Sequence, residues 1–360
     1  MTEMSPIAGE SQGATVARDE LEAIIRAHEL FVAGKPGGRR AKLFSRNLAG
    51  ADLSNRALSE ADFSGSVLYG ANLRFSDLRR ANMYCADLRN IDGRCGNFSH
   101  ADMRGATLNG SNLSQAILDH ADFRGGRLAR HGLWGTEEVV DRNGAASGVN
   151  FSFCSLRGAS FEGANLGGAN FSGAVIQATK FKGAYLGDAT FEGAVLTEID
   201  LSDLHVPASA LKNCVLPPSP EVLAEAPHLL VRLQAHQRWV DSDARSGTCA
   251  TFDDKDLRSL GDVIGRFKLT AMSARRVVAV GVDFSCTELQ GADFEGADLR
   301  GASFEGADLR GANFRGALLQ HAKFIAADLR ALQLRSGGMR PCEFADAALS
   351  AEQMADAIVD

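Results

Sequence analysis

The sequence predicts an all-β solenoid in two segments, each preceded by a short capping helix. Three observations carry that expectation. Large apolar residues recur every five positions over long stretches, a small residue stands two places before most of them, and two stretches outside this clock match one another as a duplicated helical module. Neither the 3.6-residue period of a helix nor the two-residue alternation of a strand reproduces a sustained five. A period of five closes a square instead, with one side and one corner per repeat. Composition agrees with small-residue packing: of 360 residues 38 are glycine and 8 proline, and Phe supplies 20 aromatic residues against 2 Trp and 3 Tyr.

Taken in chain order, residues 1–15 are expected to be a flexible N-terminus and 16–34 a capping helix. Leu21, Ile25, His28 and Val32 share one face of that helix, so its apolar stripe includes a histidine. Such a helix can cover the open end of a solenoid, whose unpaired strand edges otherwise invite aggregation. The first solenoid spans 41–216. Stepping by five from Leu43 through Leu53, Phe63, Leu73 and Met83 to Leu128 and Leu133 meets a large apolar residue at every step except Gly93. There Ile91 is large where a small residue belongs, an exchange that keeps the core volume nearly constant. The clock stops for an insertion loop at 134–148 and resumes at Phe151, weakening at Val206, Leu211 and Leu216.

Pro217, Pro218 and Pro220 mark a junction at 217–220. A second capping helix follows at 221–242, where Leu229, Leu233, His236 and Val240 repeat the first helix at a shift of 208. The second solenoid covers 250–349. From Phe284 to Leu349 it keeps one phase, and it extends back through Leu269 and Ile264 with a two-residue slip after Leu257. Arg46 and Lys255 fill slots where Ala is the rule, and each is expected to turn toward the carbonyl end of its helix. A capping-box-like Ser350–Met354 predicts a C-terminal helix over 350–360.

The run ADFEG, ADLRG, ASFEG, ADLRG and ANFRG from Ala292 to Gly316 resembles the pentapeptide-repeat family. The resemblance covers roughly 41–216 and 250–349. It implies a right-handed quadrilateral β-helix with four pentapeptides per coil, and so Phe ladders on two opposite faces and Leu ladders on the other two. Coils then stack one strand spacing apart, about 4.8 Å.

Function is far less legible. The net charge is −7, and residues 41–133 carry only +3, too little to mark a nucleic-acid binder. No long apolar span and no export signal occur, so a cytoplasmic protein without membrane contact is expected. Of seven cysteines, Cys154, Cys214 and Cys342 fall on the inward small slot, and Cys85 and Cys95 lie on opposite faces, which suits reduced thiols. No nucleophile elbow, phosphate-binding loop or zinc-protease motif is present, so catalytic residues, cofactors and metal sites are all expected to be none. His28 and His236 read as packing residues. His100 and His120 stack in one column whose other members, Glu60 and Arg80, offer no third ligand beside them.

What remains is surface. The expected function is a non-enzymatic protein–protein interaction module, with another protein as partner and no direct nucleic-acid binding. The 134–148 loop is the candidate contact, through Trp134, Glu137, Glu138, Asp141 and Arg142. The family resemblance implies an alternative, a DNA-mimicking modulator of a topoisomerase such as DNA gyrase. A mimic needs a sustained acidic stripe, whereas Glu295, Arg300, Glu305, Arg310 and Arg315 interleave signs.

Overall fold

A computed structural model describes residues 14–131, 137–334, 337–349 and 351–359. The chain divides into two units, Met1–Pro217 and Pro218–Asp360.

In the first unit, β1 (Ala14–Thr15) precedes α1 (Arg18–Val32), whose first turn carries Asp19 and Glu20 at the positive end of the helix dipole. Ile25 and His28 are buried, and Ile25 packs in one core with Leu43, Leu48, Leu53 and Leu58 of the first coil. β1 pairs in parallel with β2 (Arg46–Asn47). Residues 14–15, expected to be flexible, therefore add a strand to the first coil, because that coil presents backbone groups that no earlier coil can satisfy.

Each coil meets the next along four columns of parallel bridges. One column runs Asp52, Asn72, Asp92, Asn112, at a spacing of twenty residues. Around each bridge the residues on either side bond to the neighbouring coil, as when Leu43 N donates to Asp62 O at 2.7 Å and Asp62 N to Ala41 O at 3.0 Å. The inward centres are buried through most of both units, while Leu201, Val206 and Leu211 near the end of the first and Phe344 and Leu349 near the end of the second are only partly so; the small slot beside them explains the Ala rule. Where that slot holds a hydroxyl or thiol, it donates to the carbonyl of a centre: Ser76 to Leu53 O at 2.5 Å, Thr179 to Leu156 O at 2.6 Å and Cys154 to Leu113 O at 2.8 Å, each one coil earlier, and Thr287 to Phe284 O of its own coil at 2.6 Å. Among the described residues, a buried hydroxyl or thiol in that slot therefore has an acceptor.

The clock breaks earlier than the sequence suggests. β3 (Gly126–His131) and β4 (Glu137–Arg142) form an antiparallel hairpin, and the coil resumes with Ala145, which bridges to Thr107 thirty-eight residues back. Leu128 therefore lies in the hairpin rather than at an inward centre, and Leu133 falls outside the described residues. Residues 145–148, assigned to the loop, belong to the coil; Gly148 is one of its corners, with φ at 62°. Leu128 keeps the phase only because an apolar residue of β3 falls on a step of five.

Beyond the hairpin, Phe123, Phe161 and Phe181 stack in one ladder at 4.5 and 5.5 Å between ring centroids, and Phe151, Phe171 and Phe191 in a second at 5.1 Å. β5 (Val175–Gln177) pairs in parallel with β6 (Val195–Thr197). In the last coil 3₁₀ turns at Leu201–Leu204 and Ala208–Leu211 replace two sides.

The second unit opens with α2 (Pro220–Ala224) and α3 (Ala226–Asp241) in place of one helix over 221–242. Pro227 has no N–H to return to Leu223, which breaks the helix at Glu225. Leu229, Leu233 and His236 are buried; the two leucines pack in the core that holds Phe252 and Leu257. Lys255 does not turn to the carbonyl end of α3: its Nζ lies 3.2 Å from the Glu225 carboxylate, where α2 ends and α3 begins. Arg46 lies in β2. Thr251 bridges to Ser273, a coil of twenty-two residues whose surplus is taken up by the 3₁₀ segment Leu257–Arg266, kinked at Gly261.

A second insertion escaped the sequence altogether. β7 (Leu332–Gln333) pairs antiparallel with β8 (Met339–Arg340), and Asn313 bridges to Glu343, thirty residues on. Leu334 and Met339 keep the five-residue phase yet are 39% and 60% exposed. The expected C-terminal helix is a single 3₁₀ turn, Ala351–Met354. Gln353 donates to Leu319 O and Ala322 O, and Ile358 then pairs with Asp328. Eleven residues are too few for a stable helix of their own, and the exposed edge of the preceding coil offers bonds a helix would forgo.

Candidate functional site

The hairpin β3–β4 is the largest departure from the regular coil, and glycine makes its root possible. A Cβ on Gly144 would sit 2.0 Å from Phe123 O, and one on Gly126 would meet Arg104 O at 3.0 Å. A real side chain cannot come as close as at Gly144, and the contact at Gly126 is tighter than most, so the chain leaves and re-enters the coil at glycines. Tyr84, on an earlier coil, then pins the first strand: its phenol donates to Arg127 O at 2.7 Å and accepts from Arg127 N at 2.6 Å. Arg142 Nη1 reaches Cys85 O at 3.4 Å. Cys85 is buried, and burial pushes its thiol pKa up, so it is a poor nucleophile.

Of the residues singled out from sequence, Trp134 lies outside the described residues. Glu137 and Glu138 lie in β4, opposite His131 and Arg130. Asp141 and Arg142 close the strand. Asp141 forms a 3.0 Å ion pair with Arg127, its cross-strand partner, and both side chains are more than three-quarters exposed. The structure thus brings Asp141 and Arg142 to the root and sets Glu137 at the far end of the paired register. Tyr84 and Arg127 were missed; an aromatic at one outward position gives no sequence signal that it will anchor a segment forty-three residues on.

Much of the remaining outward surface is organised by repeats with Asp just before the centre and Arg just after it, as in ADLRG and ADLRN. In each, the Asp before the centre accepts from the backbone N–H of the Arg after it and from that guanidinium. Asp87 and Arg89 pair at 2.8 and 2.6 Å, Asp298 and Arg300 at 2.8 and 2.6 Å, Asp308 and Arg310 at 2.9 and 2.6 Å. The Arg94 guanidinium beside Asp92 holds its carboxyl below the usual range, as Arg330 does for Asp328. Each such repeat neutralises itself. His100 and His120 stack with ring centroids 4.8 Å apart. Among the described residues, no group of three or more His, Cys, Asp or Glu is placed to hold a metal ion, and no helix is long and apolar enough to cross a membrane.

Twenty-residue coils, inward Phe and Leu ladders and surface hairpins define a repeat protein of the β-helix class. The chain belongs to the pentapeptide-repeat family: the model for pentapeptide repeats matches in eight copies, over residues 47–92, 97–130, 147–203 and 268–331, more than half of the chain. Members of this family fold as right-handed β-helices. No curated protein matches the sequence. Among solved structures the chain is similar to HetL, a pentapeptide repeat protein involved in heterocyst differentiation regulation from the cyanobacterium Nostoc sp. strain PCC 7120, at 20% identity over 93% of this chain and 95% of that one, with a TM-score of 0.26. It is also similar to AT2G44920 from the Arabidopsis thaliana thylakoid lumen, at 24% identity over 33% and 63% of the two chains and a TM-score of 0.21. A third likeness is to QnrB1, a plasmid-mediated fluoroquinolone resistance protein, at 16% identity over 51% and 83% and a TM-score of 0.21.

Proposed function

We propose that this chain is a non-enzymatic protein–protein interaction module of the cytoplasm, in which each unit is a right-handed quadrilateral β-helix that presents side chains at fixed spacing to another protein. One observation carries the reading. The outward side chains stand on bridged columns at twenty-residue spacing, and many are locked further by the Asp–Arg pairs. Such a surface is ordered before it binds, so association costs little conformational entropy. The anchored hairpin supplies the irregular element a specific contact needs, and Trp134, Glu137, Glu138, Asp141 and Arg142 are the residues assigned to that contact.

The DNA-mimic reading has less support. A duplex presents about one negative charge per 1.7 Å. Here the carboxylates of the Asp–Arg repeats are each covered by a guanidinium of the same repeat, so a DNA-binding groove meets cations beside every such anion. The purified protein should neither inhibit gyrase supercoiling nor compete with DNA for the enzyme at micromolar concentration. Salt-sensitive inhibition that disappears on deletion of residues 126–143 would overturn this ranking.

A further inference from the structure

We propose that His28 and His236 are proton-sensitive latches that hold the helices α1 and α3 on the first coil of their units. The same geometry is built twice. Each imidazole is completely buried. His28 Nδ1 accepts the backbone N–H of Ala41 at 3.0 Å, and His236 Nδ1 accepts that of Ala250, also at 3.0 Å. In both rings Nε2 is buried and makes no well-formed hydrogen bond, although backbone groups of Leu58 and Ser59 lie near His28 and that of Thr270 near His236. Each ring stacks on the aromatic residue three positions on, Phe31 at 5.7 Å and Trp239 at 5.6 Å. Ala41 and Ala250 are where the chain enters its first coil, so the bond ties helix to solenoid.

An Nδ1 that accepts from an amide carries no proton, and the ring is neutral. Protonation places a second N–H against the N–H of Ala41 or Ala250, and so exchanges an acceptor for a clash of donors while burying a charge. The surroundings do little to offset this. Burial lowers the pKa of His28, opposed by the backbone of Ser59 and Leu58; Arg40 adds to the lowering and Glu29 opposes it. Arg56 on the coil is committed to Glu22 and Glu29. Burial likewise lowers His236, opposed only by the backbone at Thr270. With the docked pKa below the free value, docking is complete above about pH 6.5 and weakens by up to tenfold per histidine for each pH unit below it.

Amide hydrogen exchange of Ala41 and Ala250, corrected for the intrinsic rate at each pH, tests the latch. Protection factors should be constant from pH 8 to 7 and fall about tenfold per unit below 6.5. In the double variant His28→Asn, His236→Asn, whose Oδ1 accepts the same bond without titrating, they should stay flat. Protection independent of pH down to 5, or the same fall in the variant, would overturn the proposal. If the variant does not fold, NMR titration of the two imidazoles in the native chain decides: values at or above 6.5 while the helices remain docked contradict it, and values below 6.5 support it.

Discussion

At the corners of the coil the backbone conformation is imposed by the ladder and not by the residue. Two places after most inward centres φ stands near +60°, at Gly65 and Gly168 but equally at Phe75, Arg80, His100 and Ala326. This left-handed region costs an L-residue about 1–2 kcal/mol, part of which glycine gives back as unfolded-state entropy. Ala326→Gly should therefore stabilise the second unit by about 0.5–1 kcal/mol. Gly168→Ala should destabilise the first by a similar amount, since nothing within 4 Å would obstruct its Cβ and the conformation alone is at issue. Denaturant melts of both variants check the pair, and equal midpoints to the parent would contradict the corner assignment. The glycine preference was visible in sequence; the non-glycine corners were not, because only the hydrogen bonds between coils force them. The Asp–Arg pairs make a further prediction. Asp92 and Asp328 have carboxyl pKa values held below the usual range, so their stabilisation is fully present above about pH 4 and is lost as pH falls through the lowered folded values. Stability measured between pH 5 and 2 should fall in that window, separately from the histidine effect near 6.5.

At the scale of the element, the coil behaves as a lattice that accepts insertions at its corners. The ten residues of the second hairpin are two full pentapeptides, so the phase from Phe284 to Leu349 runs through them unbroken and periodicity cannot reveal them. Exposure of Leu334 and Met339 is what separates counting from packing. Deletion of residues 332–341 joins Ala331 to Cys342 and restores a twenty-residue coil; the second unit should still unfold cooperatively, with a midpoint within a few degrees of the parent. Loss of the folded unit on deletion would mean that the hairpin is part of the core. Phe304→Ala, in the middle of the ladder Phe284–Phe304–Phe324, should by contrast cost about 3–5 kcal/mol, because the stacked rings on both sides cannot close the space. The inward centres were legible because volume and spacing repeat. The broken second helix was legible only in Pro227, and the tail was misread because eleven residues were judged for helix signals without the strand edge beside them.

For the whole molecule, fold and function differ in how much the sequence constrains them. The five-residue clock and the duplicated helix each repeat many residues, so single exceptions do little harm to the inference. The candidate contact is one hairpin met once, anchored through Tyr84 and Arg127, which no repeat announces. Electrostatics at this scale bear on the proposed protein partner: with a net charge of −7 and many carboxylates already paired, long-range attraction to or imitation of a polyanion is expected to be weak. The central claim is that the chain is a protein-binding module whose hairpin makes the specific contact. It is tested most directly by quantitative affinity capture from the native cell, after nuclease treatment, with the full chain and with a chain lacking residues 126–143, which restores a regular coil between Gly125 and Gly144. The account predicts a stoichiometric protein retained by the full chain and lost with the hairpin. Retention of the same protein by both chains, or retention of nucleic acid in place of protein when nuclease is omitted, would contradict it.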